Sequence, residues 1–301
     1  MRIAVAATPA VAIPTLDALL ASEHDLVCVI TRPDAPAGRG RALQSTPVAS
    51  WAQTHSVELF KPESNQLLGE LVEDLDLVIT IGYGLILPLE VLRKPKHGFI
   101  NLHFSLLPRW RGAAPVQRAI EAGDEATGVT VFALDEGMDT GPVYQIAKVP
   151  LSDSITSEEL FDLLAKLGVD PVLKTLKQIE KGEKPKPQND AGATRAYKLS
   201  KEEAKIDWNS SADVIIRKIR AFNPEPSAWS DFRGQVLKVN SARLADEIIS
   251  AGSLKVIGKS VLVGTATSAV ELLEVTPAGK SQMLASAWAN GARISATDLL
   301  Q

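Results

Sequence analysis

Asn101 and His103 stand two positions apart in Phe99-Ile-Asn-Leu-His-Phe104, an apolar run that reads as a strand. On an extended backbone both side chains leave one face, with Leu102 and Phe104 on the other. A carboxamide beside an imidazole can donate hydrogen bonds to a carbonyl oxygen that gains charge during attack, and the imidazole can carry a proton near neutral pH. That is acyl-transfer chemistry without a nucleophilic side chain. For the pair alone the structural alternative is a turn-capping Asn and a satisfied core histidine. Asp139, thirty-six residues after His103, lies in Asp135-Glu-Gly-Met-Asp-Thr-Gly141, a carboxylate-rich turn with two glycines. Such a turn can bring Asp139 back against the imidazole as the third member that orients it.

The elements around these residues read as α/β. Apolar runs at 3–7, 26–31, 57–60, 75–81 and 100–102 are rich in Val and Ile. Helix-patterned segments lie between them, at 14–21, 48–54, 65–74, 89–92 and 114–122. This alternation predicts a doubly wound, mainly parallel sheet, whose ligand crevice lies at the carboxyl ends of the strands, where Asn101 and His103 fall. Ala7-Thr8-Pro9-Ala10 after the first strand has no glycine, which removes the close backbone approach a dinucleotide pyrophosphate needs. Strands are expected at 129–133 and 143–149, and one long amphipathic helix over 157–180, kinked at Pro171. Lys181–Asp190, which contains Lys-Gly-Glu-Lys-Pro-Lys-Pro-Gln, has the composition of a linker. After a helix at 212–221, short strand-like runs at 228–232, 235–242, 252–257, 260–264, 269–276 and 283–289 predict a smaller, OB-like β-barrel. The expected domains are 1–190, a linker at 191–204, and 205–301.

Composition narrows the class. A chain of 301 residues is too long for one ordinary core. With 45% hydrophobic and 23% charged residues it is expected to be a soluble globular protein, with no run long enough to span a membrane and no signal peptide. The one cysteine, Cys28, lies in an apolar strand and reads as a buried thiol, so a reducing cytoplasm is the expected compartment. The net charge of −4 argues against indiscriminate nucleic-acid binding. It is uneven, however: residues 1–200 sum to −5 and residues 201–301 to +1, which permits a local basic surface. His24, His55, His97 and His103 have no close metal-ligand spacing, so no metal is expected.

Taken together, Asn-x-His, Ser105-Leu-Leu-Pro-x-Trp-Arg-Gly112 and Asp135-x-Gly-x-Asp-Thr-Gly141 resemble the folate-dependent formyltransferases. The long second half resembles the members that formylate a charged tRNA. The resemblance implies 10-formyltetrahydrofolate as formyl donor, initiator methionyl-tRNA as acceptor, a monomer, and Asn101, His103 and Asp139 as the catalytic trio. It implies a pterin pocket at residues 82–88, with Gly84, Leu85, Ile86, Leu87 and Pro88 as members. Ser105, Leu106, Pro108, Asp135 and Gly137 would be further folate contacts.

Residues 31–43 form a connection too rich in Pro and Gly for a plain link, and on its own it reads as a solvated loop. Its Pro-Ala-Gly-Arg-Gly segment resembles the inserted loop with which the family reaches the tRNA acceptor end, so Arg39 and Arg41 are candidate tRNA contacts. Arg217, Lys218 and Arg220 on the helix at 212–221 are the others. Two positions depart from the family pattern: Ala7, where Gly is usual, and Glu225, where an aromatic is usual.

Overall fold

The computed structural model describes residues 1–37, 42–295 and 297–301. The chain divides into two compact units. The first is Met1–Pro115, Ala126–Pro150 and Phe161–Ala196; the second is Val116–Glu125, Leu151–Leu160 and Tyr197–Gln301.

In the first unit the strands are β1 (Arg2–Ala7), β2 (Asp25–Ile30), a small ribbon of β3 (Ala35–Ala37) and β4 (Ala42–Gln44), β5 (Glu58–Phe60), β6 (Leu77–Ile81), β7 (Phe99–His103), β8 (Arg111–Gly112), β9 (Ala126–Ala133), β10 (Val143–Pro150) and β11 (Arg195–Ala196). Seven of them form one sheet in the order β10-β9-β7-β6-β1-β2-β5. The pairs from β7 to β5 are parallel, and β9 and β10 join antiparallel at the other edge. The doubly wound, mainly parallel sheet expected from the alternation is present. Ala7 lies within β1, so that departure is accommodated as ordinary strand.

Helices α1 (Ile13–Leu20), α2 (Pro47–Thr54), α3 (Asn65–Val72) and α4 (Leu89–Leu92) connect the strands. Local chemistry starts two of them: Thr46 Oγ1 accepts the Ala49 N–H, with Pro47 at the first helical position, and Ser64 Oγ accepts the Leu67 N–H. One core cluster packs Leu68, Val72, Val91 and Leu92 of α3 and α4 against Ala4, Ala6, Cys28, Ile30, Val78 and Phe99 of the sheet. There burial, reinforced by Glu58, pushes the Cys28 thiol up to about 12, as suits an inert core cysteine.

After α5 (Pro115–Ala122), the segment 157–180 departs from expectation. It is two helices, α6 (Ser157–Leu167) and α7 (Val169–Glu180), broken at Gly168 and not kinked at Pro171. A Cβ on residue 168 would lie 2.6 Å from Leu102 Cδ2, so the chain turns where it presses on the sheet. Pro171 falls in the first turn of α7, where no intrahelical N–H bond is lost.

The second unit carries α8 (Ala212–Phe222), β12 (Trp229–Phe232), β13 (Gln235–Leu244), β14 (Leu254–Ile257), β15 (Ser260–Val263), β16 (Val270–Pro277), β17 (Met283–Leu284) and α9 (Ala285–Ala292). Its antiparallel sheet runs β12-β13-β16-β15-β14, with β17 on β16. Leu300 bridges to Phe232 of β12 and Leu299 to Ser253 beside β14, joining the two edges into a small barrel. The run at 283–289, expected as a strand, turns helical after Leu284: Ala285, Trp288 and Ala289 have helical spacing and bury one face, and alanine favours the helix. Among the described residues no helix is long and apolar enough to cross a membrane.

Candidate active site

Strand β7 places Asn101 and His103 on one face, as the period-two reading requires, and His103 is its last residue. The β6–β7 register sets Thr80 beside Asn101. Thr80 Oγ1 lies 3.0 Å from Asn101 Oδ1 and 3.1 Å from the Ile100 carbonyl, with one proton to donate to either. A hydroxyl donating to Oδ1 occupies the acceptor side of the carboxamide and leaves its two N–H donors to other partners.

The imidazole is held from three directions. His103 Nε2 lies 2.9 Å from the Trp110 carbonyl, which accepts its proton. Nδ1 is 3.7 Å from Asp139 Oδ2, and the Phe132 ring meets the imidazole edge-on at 6.4 Å. His103 is buried and Asp139 nearly so. Each ring nitrogen thus faces an oxygen, the Trp110 carbonyl at Nε2 and Asp139 Oδ2 at Nδ1, which fixes the orientation of the imidazole.

Asp139 is itself fixed. Its Oδ2 accepts the Gly112 N–H at 2.7 Å, and its φ of +56° is left-handed, a conformation that costs a non-glycine residue on the order of 1 to 2 kcal/mol. The turn that holds it is built by Asp135, whose Oδ1 accepts from Gly137 N–H at 3.0 Å and Thr140 Oγ1 at 2.7 Å. Gln188 donates to the Asp139 and Gly141 carbonyls at 2.9 and 2.7 Å. A charged group is thus presented by a turn with little freedom to relax.

The turn at 82–88 after β6 is of another kind. Gly82, Gly84, Leu85 and Ile86 are exposed, while Tyr83 and Leu87 are anchored in the core cluster. Thr8 Oγ1 donates to the Tyr83 carbonyl and Arg32 Nη1 to the Gly84 carbonyl, both at 3.3 Å. Ile86 is 77% exposed, an apolar residue set beside open backbone, which suits the face and edge of a flat heterocycle. Pro88 precedes α4 and is half-buried.

The other expected contacts are placed as follows. Ser105 is fully buried and donates its hydroxyl to the Arg109 carbonyl at 2.6 Å; Leu106 and Pro108 are half-buried in the same loop. Arg39 and Arg41 lie outside the described residues. On α8, Arg217 Nε donates to the Glu121 carbonyl, Lys218 Nζ to those of Glu203 and Lys205, and Arg220 Nη1 to that of Ile155. Burial pulls the Arg220 pKa below its usual value. All three cations already serve backbone carbonyls of their own unit, so they are not brought together as one open patch. Glu225 is exposed.

Among the described residues, one histidine–carboxylate group has ligand atoms close enough to share a metal: Glu23, His24 and Glu180, within 4.8 Å. It stands by the amino end of β2, away from His103, and its His24 and Glu180 are 3.5 Å apart as an ion-pairing couple.

A formyl transferase family model matches residues 1–176, and a formyl transferase C-terminal domain model matches residues 198–293. The chain belongs to the formyl transferase family. The methionyl-tRNA formyltransferase of Salinispora tropica is 44% identical over 307 residues, covering 100% of both chains. That of Thermobifida fusca is 46% identical over 301 residues, covering 98% of this chain and 97% of its own. The crystal structure of HypX from Aquifex aeolicus in complex with tetrahydrofolic acid superposes with a TM-score of 0.69 at 20% identity, over 96% of this chain and 47% of that longer one. It shares the fold.

Three parts of this formyl transferase site escaped the sequence reading: Thr80, the Gly112 N–H and Gln188. Thr80 left a trace, being the one polar residue in Leu77-Val-Ile-Thr-Ile81. Gly112 closes the Ser105–Gly112 motif, but its pairing with Asp139 and that of Gln188 left no trace, because these contacts join residues 27 and 49 apart along the chain.

Proposed function

We propose that this formyl transferase passes the formyl group of 10-formyltetrahydrofolate to the free amine of methionine on initiator methionyl-tRNA, with Asn101, His103 and Asp139 at the reacting centre. The observation that carries the residue assignment is a carboxamide held by Thr80 and a buried imidazole two residues apart on one strand, with a carboxylate 3.7 Å from the imidazole. The exposed turn with Gly84, Leu85 and Ile86, together with Leu106, Pro108 and Gly137, would receive the folate. Leu87, Pro88, Ser105 and Asp135 would support that pocket from behind.

When bound, the folate supplies an activated formyl group on nitrogen. Asn101 donates an N–H to the formyl oxygen as the amine attacks and charge gathers there; removing one such donor costs roughly a hundred- to a thousandfold in kcat. His103, oriented by Asp139 and the Trp110 carbonyl, sets its polar ring on the same side and stabilises the same oxygen. Asp139 orders a water that takes the proton from the attacking amine and passes it toward the departing nitrogen. The new C–N bond forms as the old one breaks, and no side chain is acylated.

Arg39 and Arg41 would reach the acceptor end of the tRNA, and the basic residues of α8 would contribute charge on the second unit. We place the reaction in the cytoplasm, carried out by a single copy of the chain, in keeping with one buried thiol and a charged-tRNA substrate. The deciding assay gives the purified full chain labelled formyl donor with methionyl-tRNA and, separately, with small amines. Formyl-methionine on the tRNA is the expected product. Formylation of the small amines alone would overturn the acceptor assignment.

A further inference from the structure

Residues 181–190 have the composition of a linker, yet Gln188 is knitted into the site. Its amide is used throughout: Nε2 donates to the Asp139 carbonyl at 2.9 Å and the Gly141 carbonyl at 2.7 Å, and Oε1 accepts from Arg111 Nε at 3.2 Å and Nη2 at 2.8 Å. Arg111 Nη2 also meets Asp190 Oδ1 at 2.8 Å.

The segment is pinned on both sides of this contact. Lys186 and Val143 exchange backbone hydrogen bonds at 2.7 and 2.8 Å, Thr194 Oγ1 accepts the Trp110 N–H at 2.9 Å, and the Thr194 carbonyl accepts the Arg111 N–H at 2.9 Å. β8 and β11 then pair so closely that a Cβ on residue 112 would lie 2.6 Å from the Ala196 carbonyl oxygen; with its φ of +128°, this position takes only glycine. The same strap therefore holds the backbone carbonyl on His103 Nε2, the N–H on Asp139 Oδ2 and the turn that carries Asp139.

We propose that Gln188 is a positioning residue for formyl transfer, holding Asp139 in its left-handed conformation so that one carboxylate oxygen meets both Gly112 N–H and His103. The inference rests on the role assigned above to Asp139. Only a donor pair at this position satisfies two carbonyls at once. Gln188→Glu keeps the volume and the Arg111 contact but sets one acceptor oxygen against both carbonyls, and Gln188→Met removes the donors without adding charge. Misplacing a reacting group by about an ångström can cost on the order of a hundredfold, so a loosened turn shows first in kcat.

The test is a double-mutant cycle on the full chain, with kcat, KM for the formyl donor and thermal midpoint measured for wild type, Gln188→Glu, Gln188→Met, Asp139→Ala and each double variant. The expected result is a fall in kcat of at least about tenfold in both Gln188 variants, a KM within about threefold of wild type, and less than about a twofold further change when Asp139 is already alanine. Gln188 variants with wild-type kcat beside an impaired Asp139→Ala would overturn the positioning role alone. An equal loss on both backgrounds would also overturn it, as general loosening of the fold. Wild-type kcat in Asp139→Ala would overturn the catalytic assignment, and the positioning role with it.

Discussion

Two turns of the first unit frame the candidate site and are built on opposite plans. Residues 134–142, which carry Asp139, are fixed by short polar contacts: 2.7 Å from Thr140 to Asp135, 2.7 Å from Gly112 N–H to Asp139, and 2.7 and 2.9 Å from Gln188. Residues 82–88 are fixed by apolar anchors, Tyr83 and Leu87, with two hydrogen bonds of 3.3 Å and an open backbone between them. A charge must meet its partner within tenths of an ångström to act on a transition state, whereas a surface that receives a heterocycle needs shape and exposed apolar area. The first turn is built to place and the second to receive.

If that division holds, variants of the two turns differ in the constant they move. The largest effect is expected at the placed groups: Asn101→Ala, His103→Ala and Asp139→Ala should each lower kcat by at least about a hundredfold. Steady-state kinetics together with thermal melts of the folded variants checks this. Next is Thr80→Val, which keeps the shape and removes the hydroxyl from Asn101 Oδ1. A loss of about 1.4 kcal/mol of orientation corresponds to roughly tenfold in kcat, with KM for the donor unchanged. The receiving turn should respond in the other constant. Ile86→Ser should raise KM for the formyl donor roughly three- to tenfold through lost apolar contact, with kcat near wild type. Equal falls in kcat from Ile86→Ser and Thr80→Val would erase the distinction between the turns.

The smallest effect is expected at a control in the second unit. Asp298, like Asp139, is a carboxylate held by directed donors, here Arg233 Nε and Nη2 and the Ser295 N–H, but no reacting group faces it. The Arg233 guanidinium holds its carboxyl well below the usual value of 3.8. Its stabilising contribution is therefore complete above that value and lost as pH falls through the lower native one. Asp298→Asn should lower the urea midpoint of the full chain near neutral pH while leaving kcat alone, and its deficit should shrink as pH drops below 3.8. A deficit that stays constant with pH would mean the pair contributes nothing through its charge.

Much of the geometry of the candidate site was legible because it is local. Asn101 and His103 share a face through the two-residue period of a strand, and Asp135, Gly137 and Thr140 spell out a turn that closes within six residues. The alternation of apolar strands with helical segments likewise dictated the parallel sheet, since such connections pack one way. The breaks at Gly168 and Leu284 were not legible: one follows from the pressure of Leu102, the other from the face that Trp288 and Ala289 bury. Nor was the support of the site. Thr80 reaches Asn101 only because β6 and β7 pair in a particular register, and Gln188 reaches Asp139 only because its segment folds back along β10 and β8. Backbone sterics and side-chain periodicity act over a few residues and are written in the sequence. A hydrogen bond between residues 49 apart exists only once chain closure has set both ends, so the turn around Asp139 was written locally and its bracing by Gln188 was decided by the tertiary structure.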